Sequence, residues 1–211
     1  MNVPAVTRRL VALIILLPAC RADTSDTARA TGDMAAADTA TVAGRTPSAP
    51  AADPAPDDTL VTPDGWGPLR IGMRRAEVVA AAGEDANPDL VGGPDPEQCD
   101  EFRPLNAPEG ILVMIERGVL TRISIGEGPD VTTPAGLRVG DPAEIVISTL
   151  GASARVEPHE YVEAPARYVT LWRQPPPDPA RRGVRYEIGL DGDVERIHAG
   201  GPSIEYAEGC V

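Results

Sequence analysis

The chain has no lysine, two histidines, three cysteines, one phenylalanine, two tryptophans and four tyrosines in 211 residues. Each shortage excludes something. There is no C-x-x-C pair and no H-E-x-x-H, so the usual zinc frameworks are missing. G-x-S-x-G, P-loop and G-x-G-x-x-G patterns are absent too, which removes the sequence signs of a nucleophile elbow, a phosphate cradle and a dinucleotide loop. Asp and Glu are plentiful but never spaced like a calcium loop, and Asp191-Gly192-Asp193 is explained by a turn. No metal and no cofactor is therefore expected. His159-Glu160 and His198 could form an acid/base pair, but His159 lies beside proline and His198 near a strand end, so both read as surface histidines. Lipid-spanning runs are also lacking, because the longest apolar stretch, Leu10 to Leu17, is too brief to cross a bilayer.

What that short stretch does resemble is an export signal. Arg8 and Arg9 precede it, Ala19 supplies a small residue at its end, and Leu17-Pro18-Ala19-Cys20 is similar to a bacterial lipobox, in which the cysteine becomes the lipidated first residue. Residues 1–19 are thus expected to be a lipoprotein signal peptide. Cys20 is the expected lipid anchor, the alternative being an ordinary secretory signal with an incidental cysteine. The expected location is the cell envelope, at the outer membrane facing the periplasm. Removing Arg8 and Arg9 leaves 17 arginines against 32 acidic residues, a balance of −15. A surface this acidic repels phosphate backbones, so nucleic acid is not an expected partner.

Export has a consequence for Cys99 and Cys210, since thiols outside the cytoplasm are not kept reduced and an even pair tends to oxidise. A bond between them would pin the penultimate residue to the first half of the domain. Closing so long a loop stabilises by up to about 4.7 kcal/mol in the chain-entropy treatment. A metal site of Cys99, Cys210, His159 and His198 is the alternative, disfavoured because no two of these residues are close in sequence.

Residues 20–60 are rich in Ala, Thr, Pro and Asp and have almost no large apolar residue, so they cannot offset their ordering entropy. They read as a disordered tether, with a glycosylated stalk as the alternative; fully stretched, the tether would reach on the order of 130 Å. Residues 61–211 then form one domain with internal repetition. Leu69-Arg70-Ile71-Gly72 recurs 68 positions later as Leu137-Arg138-Val139-Gly140, and at the same offset Val78 meets Val146, Val79 meets Ile147 and Gly83 meets Gly151. Two repeats, about 63–128 and 132–200, followed by a C-terminal tail, are expected.

Each repeat opens on a short helix. The second has Asp141 as N-cap, Pro142 at the first helical position, Glu144 completing a capping box and Gly151 as the stop, with Ile145, Val146 and Thr149 or Leu150 inward. The first runs from Met73 to Ala82, poorly capped, and stops at Gly83. Two apolar runs follow in each repeat: Ile111 to Glu116 and Val119 to Ile125 around Arg117-Gly118, and Val184 to Leu190 and Asp193 to Ala199 around Asp191-Gly192. Arg122-Ile123 and Arg196-Ile197 recur beyond the turns. With Glu101 to Leu105 and Tyr168 to Trp172 as third strands, the expectation is an α+β fold of two tandem units. Each is a short helix plus a three-stranded antiparallel meander, with the helices on one sheet face.

Gly72-Met73, Val78 and Gly83 resemble the G-M-T-x-x-x-V-x-x-x-L-G signature of the small lipoproteins of the β-barrel assembly machinery, the SmpA/OmlA or BamE-like group; Gly140, Val146, Leu150 and Gly151 repeat it. The tandem copy also looks like the β-lactamase inhibitor protein fold. The resemblance covers residues 67–83 and 136–151 by motif. It implies fold far more than function. Arg74 stands where that family has Thr, Asp141-Pro142 replaces Met-Thr, and the family carries one unit, so none of its partner-binding residues is carried over.

Along Tyr168 to Trp172, alternation sends Val169 and Leu171 to one face and Tyr168, Thr170 and Trp172 to the other. Tyr and Trp are frequent interface anchors, so this second face is the candidate binding face unless it too is covered. The expected function is that of a non-catalytic, membrane-anchored lipoprotein that binds a protein partner or serves envelope assembly. The alternatives are an inhibitor of an extracytoplasmic enzyme and an envelope hydrolase.

Overall fold

A computed structural model of the chain describes residues 57–89, 92–175 and 177–211. The signal peptide, Cys20 and the tether up to residue 56 lie outside the described residues. Ten strands and two helices follow one another: β1 (Val61–Thr62), β2 (Gly65–Trp66), β3 (Leu69–Arg70), α1 (Arg75–Ala82), β4 (Cys99–Phe102), β5 (Ile111–Glu116), β6 (Val119–Ile125), α2 (Ala143–Leu150), β7 (Arg155–Pro158), β8 (Arg167–Trp172), β9 (Gly183–Ile188) and β10 (Val194–Gly200). Short 3₁₀ turns cover Gly151–Ser153 and Pro202–Glu205.

The expected pair of three-stranded α+β units is not what forms. The fold is mostly β. Strands from both halves join in one antiparallel sheet of seven, ordered β4-β5-β6-β10-β9-β8-β7, and β1-β2-β3 make a separate small sheet. Two things overturn the expectation. The second half contributes four strands, because Arg155–Pro158 pairs with β8, and the halves share a ladder rather than each closing its own sheet. That ladder runs between β6 and β10, with Ile197 opposite Ile125 and Ala199 opposite Ile123. The two strands thus bury their edges against each other, which removes the unpaired backbone that two separate meanders would expose. Where β10 ends, a Cβ on Gly200 would lie 2.2 Å from the Thr121 carbonyl oxygen and φ is +146°, so only glycine brings the strands this close.

One sheet face carries Ile111, Val113, Ile123, Ile125, Ile197, Val184, Tyr186 and Val169, all buried, and joins Val78, Ala82, Ala143 and Val146 of the helices in one core. Both helices are eight residues long and persist only by this packing. Their glycine stops, Gly83 and Gly151, fall where the pattern puts them. Their starts do not. In α1 the Glu77 carboxylate accepts from the Arg74 N–H at 2.7 Å, a one-sided cap that the sequence reading missed. In α2 the cap position is Pro142, and the Asp141 carboxylate accepts instead from the Arg138 N–H at 2.8 Å, serving the preceding turn. The buried stripe also differs from the expected one: Ala143 and Val146 face in while Ile145 is exposed.

Candidate functional site

The opposite sheet face is polar, and it is covered in part. β6 turns Arg122 and Ser124 to it, β10 turns Arg196 and His198, β9 turns Arg185 and Glu187, and β8 turns Tyr168, Thr170 and Trp172, following the cross-strand register. The repeated Arg-Ile pair thus places one arginine from each central strand on this face and one isoleucine in the core.

What lies over it is the C-terminal segment. Cys210 is disulfide-bonded to Cys99, with 5.4 Å between their Cα atoms. The Arg122 guanidinium donates to the Ser203 and Tyr206 carbonyls at 3.2 and 3.0 Å and also pairs with the Glu101 carboxylate. Glu101 in turn accepts from the Cys210 N–H at 3.4 Å. A Cβ on Gly209, at φ +74°, would meet Glu101 Oε2 at 2.2 Å, so the tail lies directly on that carboxylate. Both cysteines are consumed by this bond, which removes thiolates from the alternative metal set. Among the described residues, no three His, Cys, Asp or Glu side chains converge to hold a metal ion.

The expected aromatic binding face is therefore corrected. The alternation holds, but Tyr168 and Thr170 are buried, and Trp172 is half-buried with the Arg181 guanidinium 4.5 Å above its ring. Tyr168 lies between the Arg185 guanidinium, 3.7 Å from its ring centre, and the His159 imidazole, stacked at 4.5 Å. Cations and the imidazole thus cover most of these rings.

The histidines are corrected as well, for both have side chains at least nine-tenths buried. His198 Nδ1 lies 2.8 Å from Ser124 Oγ, and its Nε2 lies 3.2 Å from Glu187 Oε2. The other Glu187 oxygen is 3.4 Å from His159 Nε2, and Arg196 Nη1 donates to Glu187 Oε2 at 3.4 Å. His159 Nδ1 accepts the Tyr161 and Val162 N–H groups, each at 3.2 Å, which leaves its proton on Nε2, toward Glu187 and the Tyr168 hydroxyl. Burial pushes His198 down to about 4, against the opposing pull of Glu187. Glu187 is held near 2: burial would raise it, but the His198 hydrogen bond and the charges of His198 and Arg196, with a further bond from His159, outweigh that. At neutral pH the cluster is thus a carboxylate taking hydrogen bonds from a neutral His198 and from His159.

This cluster floors a cavity of about 690 Å³ bordered by Arg122, Ser124, Glu187, His198 and, on the tail side, Tyr206 to Gly209. Serine, histidine and carboxylate in a row have the residue types of a nucleophile, its base and an orienting acid. Two features oppose that use. A histidine whose conjugate acid titrates near 4 is a weak base at neutral pH, and Ser124 is 2% exposed. Neither Ser124 nor Glu187 carries a motif signal; only their positions in alternating strands, on the same face as Arg122 and Arg196, could have marked them.

No family model and no curated protein matches the chain. Among solved structures, an extracellular protein containing a SCP domain from Bacillus anthracis str. Ames is similar at 9% identity over 63% of this chain and 44% of that one, with a TM-score of 0.37. A likeness this slight carries no argument about the site.

Proposed function

We propose that the chain is a membrane-anchored envelope lipoprotein, held by lipid on Cys20, that works as a non-catalytic protein-binding module. The observation that carries the binding part is the strap across the polar face: a disulfide and a buried ion pair hold the tail down and leave a walled, polar cavity open beside it. Fixed walls reduce what a binding site loses in order when it is filled. The weak basicity of His198 favours binding over turnover.

A photoreactive residue placed at position 112, which borders the cavity, tests this in intact cells. A discrete protein adduct from position 112, absent when the same residue is placed at exposed position 145 on α2, is the expected result. Equal adducts from both positions, or none from position 112, would contradict it. The row Ser124, His198 and Glu187 supports a second reading, an envelope hydrolase. A fluorophosphonate label that attaches to the wild-type chain and is lost in Ser124→Ala would favour that reading instead.

A further inference from the structure

Aromatic side chains are distributed unevenly. Trp66, Phe102, Tyr168 and Tyr186 are buried and Trp172 is half-buried, whereas Tyr161 and Tyr206 are 62% and 45% exposed. Both exposed rings border one cleft of about 380 Å³, together with Glu116, Glu160 and Glu208 and with no basic side chain. Residues 206–209 border this cleft and the larger cavity alike, so the strapped tail is their common wall.

The chemistry of the cleft is of one kind. The Tyr206 hydroxyl donates to Glu116 Oε1 at 3.3 Å. The Tyr161 phenol is pushed up to about 12, first by the Glu208 carboxylate and then by some loss of hydration and the Glu160 charge. Arg117 and Arg122 act on Tyr206 from outside the cleft, and Arg122 is already committed to Glu101. An anion would meet three carboxylates here without a cation, and an apolar ligand would strip them of water without recompense. A small metal ion needs converging oxygens, which the described residues do not supply. An ammonium or guanidinium group on an alkyl stem fits both features, since ring faces and carboxylates each attract it.

We propose that this cleft docks an arginine- or lysine-bearing segment of a protein partner. The proposal rests on the binding-module reading and adds to it the charge of the partner and the place where it docks. Charge complementarity selects a basic segment, and a volume of about 380 Å³ holds a few side chains rather than a helix.

The test uses the full chain in nonionic detergent. A fluorescent, N-acetylated, C-amidated octapeptide of alternating arginine and glycine is the probe, with its glutamate counterpart and spermidine as comparison arms. Saturable binding of the arginine peptide is expected, with none of the glutamate peptide. Tyr161→Leu should weaken it by roughly fivefold, and Glu160→Gln with Glu208→Gln by more. Raising salt from about 0.05 to about 0.5 M should weaken it further. A photoactivatable version of the peptide should mark residues 160–161 or 206–211 of the wild-type chain, a readout that needs no variant to fold. No saturable binding, wild-type affinity in both variants, adducts elsewhere, or spermidine binding as tightly as the peptide would each overturn the proposal. An adduct from position 112 in cells, with no binding of the peptide, would sink this inference and leave the binding-module reading intact.

Discussion

Cys210 is bonded to Cys99 across a sequence separation of 111 residues, and Glu101, two residues beyond Cys99 in β4, accepts the Cys210 N–H and pairs with Arg122. The covalent latch and the buried ion pair therefore act on the same stretch of tail. Several side-chain atoms in this layer are buried without a partner, among them Arg122 Nε, Ser203 Oγ, Thr170 Oγ1 and Trp172 Nε1. A polar layer satisfied only in part is weakly held by its own contacts, so the latch decides whether the tail stays down.

Removing the latch should therefore loosen the tail first and the sheet last. Cys99→Ser with Cys210→Ser is expected to cost about 2–5 kcal/mol of stability. Hydrogen exchange should accelerate most over residues 201–211 and least in β6 and β10. Uniform acceleration across the sheet would show that the bond stabilises the whole domain without specifically holding the tail.

Breaking the Arg122–Glu101 pair should be costlier than deleting it. Their side chains are 4% and 9% exposed, so Arg122→Met leaves a buried carboxylate without its counter-charge and with only the Cys210 N–H as partner, a loss of about 3–5 kcal/mol. The double variant Arg122→Met, Glu101→Met should recover much of that, because no uncompensated charge remains. Chemical denaturation of both variants checks the order, and a double variant worse than the single one contradicts it.

Acid should destabilise the domain along a definite path. His198 titrates near 4 when folded against an ordinary 6.5, so the unfolded chain binds the extra proton between those values and stability falls as pH drops through that range. Glu187 is held near 2 against an ordinary 4.5, so the loss continues between 4.5 and 2. Melting temperature followed from pH 7 downward should decline from about 6.5. Replacing His198 with Gln should flatten the upper part of that decline; an unchanged slope would mean that another group carries it.

Gly200→Ala places a methyl 2.2 Å from the Thr121 backbone oxygen, at the junction of the two central strands. Backbone cannot yield as a flexible side chain can, so a loss of about 2 kcal/mol or more is expected. Thermal unfolding measures it, and a neutral result would mean that β6 and β10 are not joined as described.

The legible parts of this fold were those written in local pattern. The β5–β6 hairpin follows from two apolar runs around Arg117-Gly118, where both turn residues have positive φ. Helix stops at glycine and the face split of β8 followed for similar reasons. β7 went unseen because Arg-Val-Glu-Pro on an exposed edge has too little apolar character to register as a strand, and β1 to β3 are two residues each. The joining of the two halves through Ile125 and Ile197 is a long-range pairing with no local signal. The site was hidden for a related reason. Arg122, Ser124, Glu187 and His198 alternate with core residues as solvent-facing ones would, and nothing in that alternation announces that a distant tail covers them.

The most direct measurement is the intact mass of the chain isolated from its own cells, with cysteine states mapped by digestion under non-reducing conditions. The account predicts a chain that begins at lipid-modified Cys20 and carries one linked peptide pair containing Cys99 and Cys210. An N-terminus still at Met1 with three free thiols would contradict the export, the latch and the binding surfaces built around it.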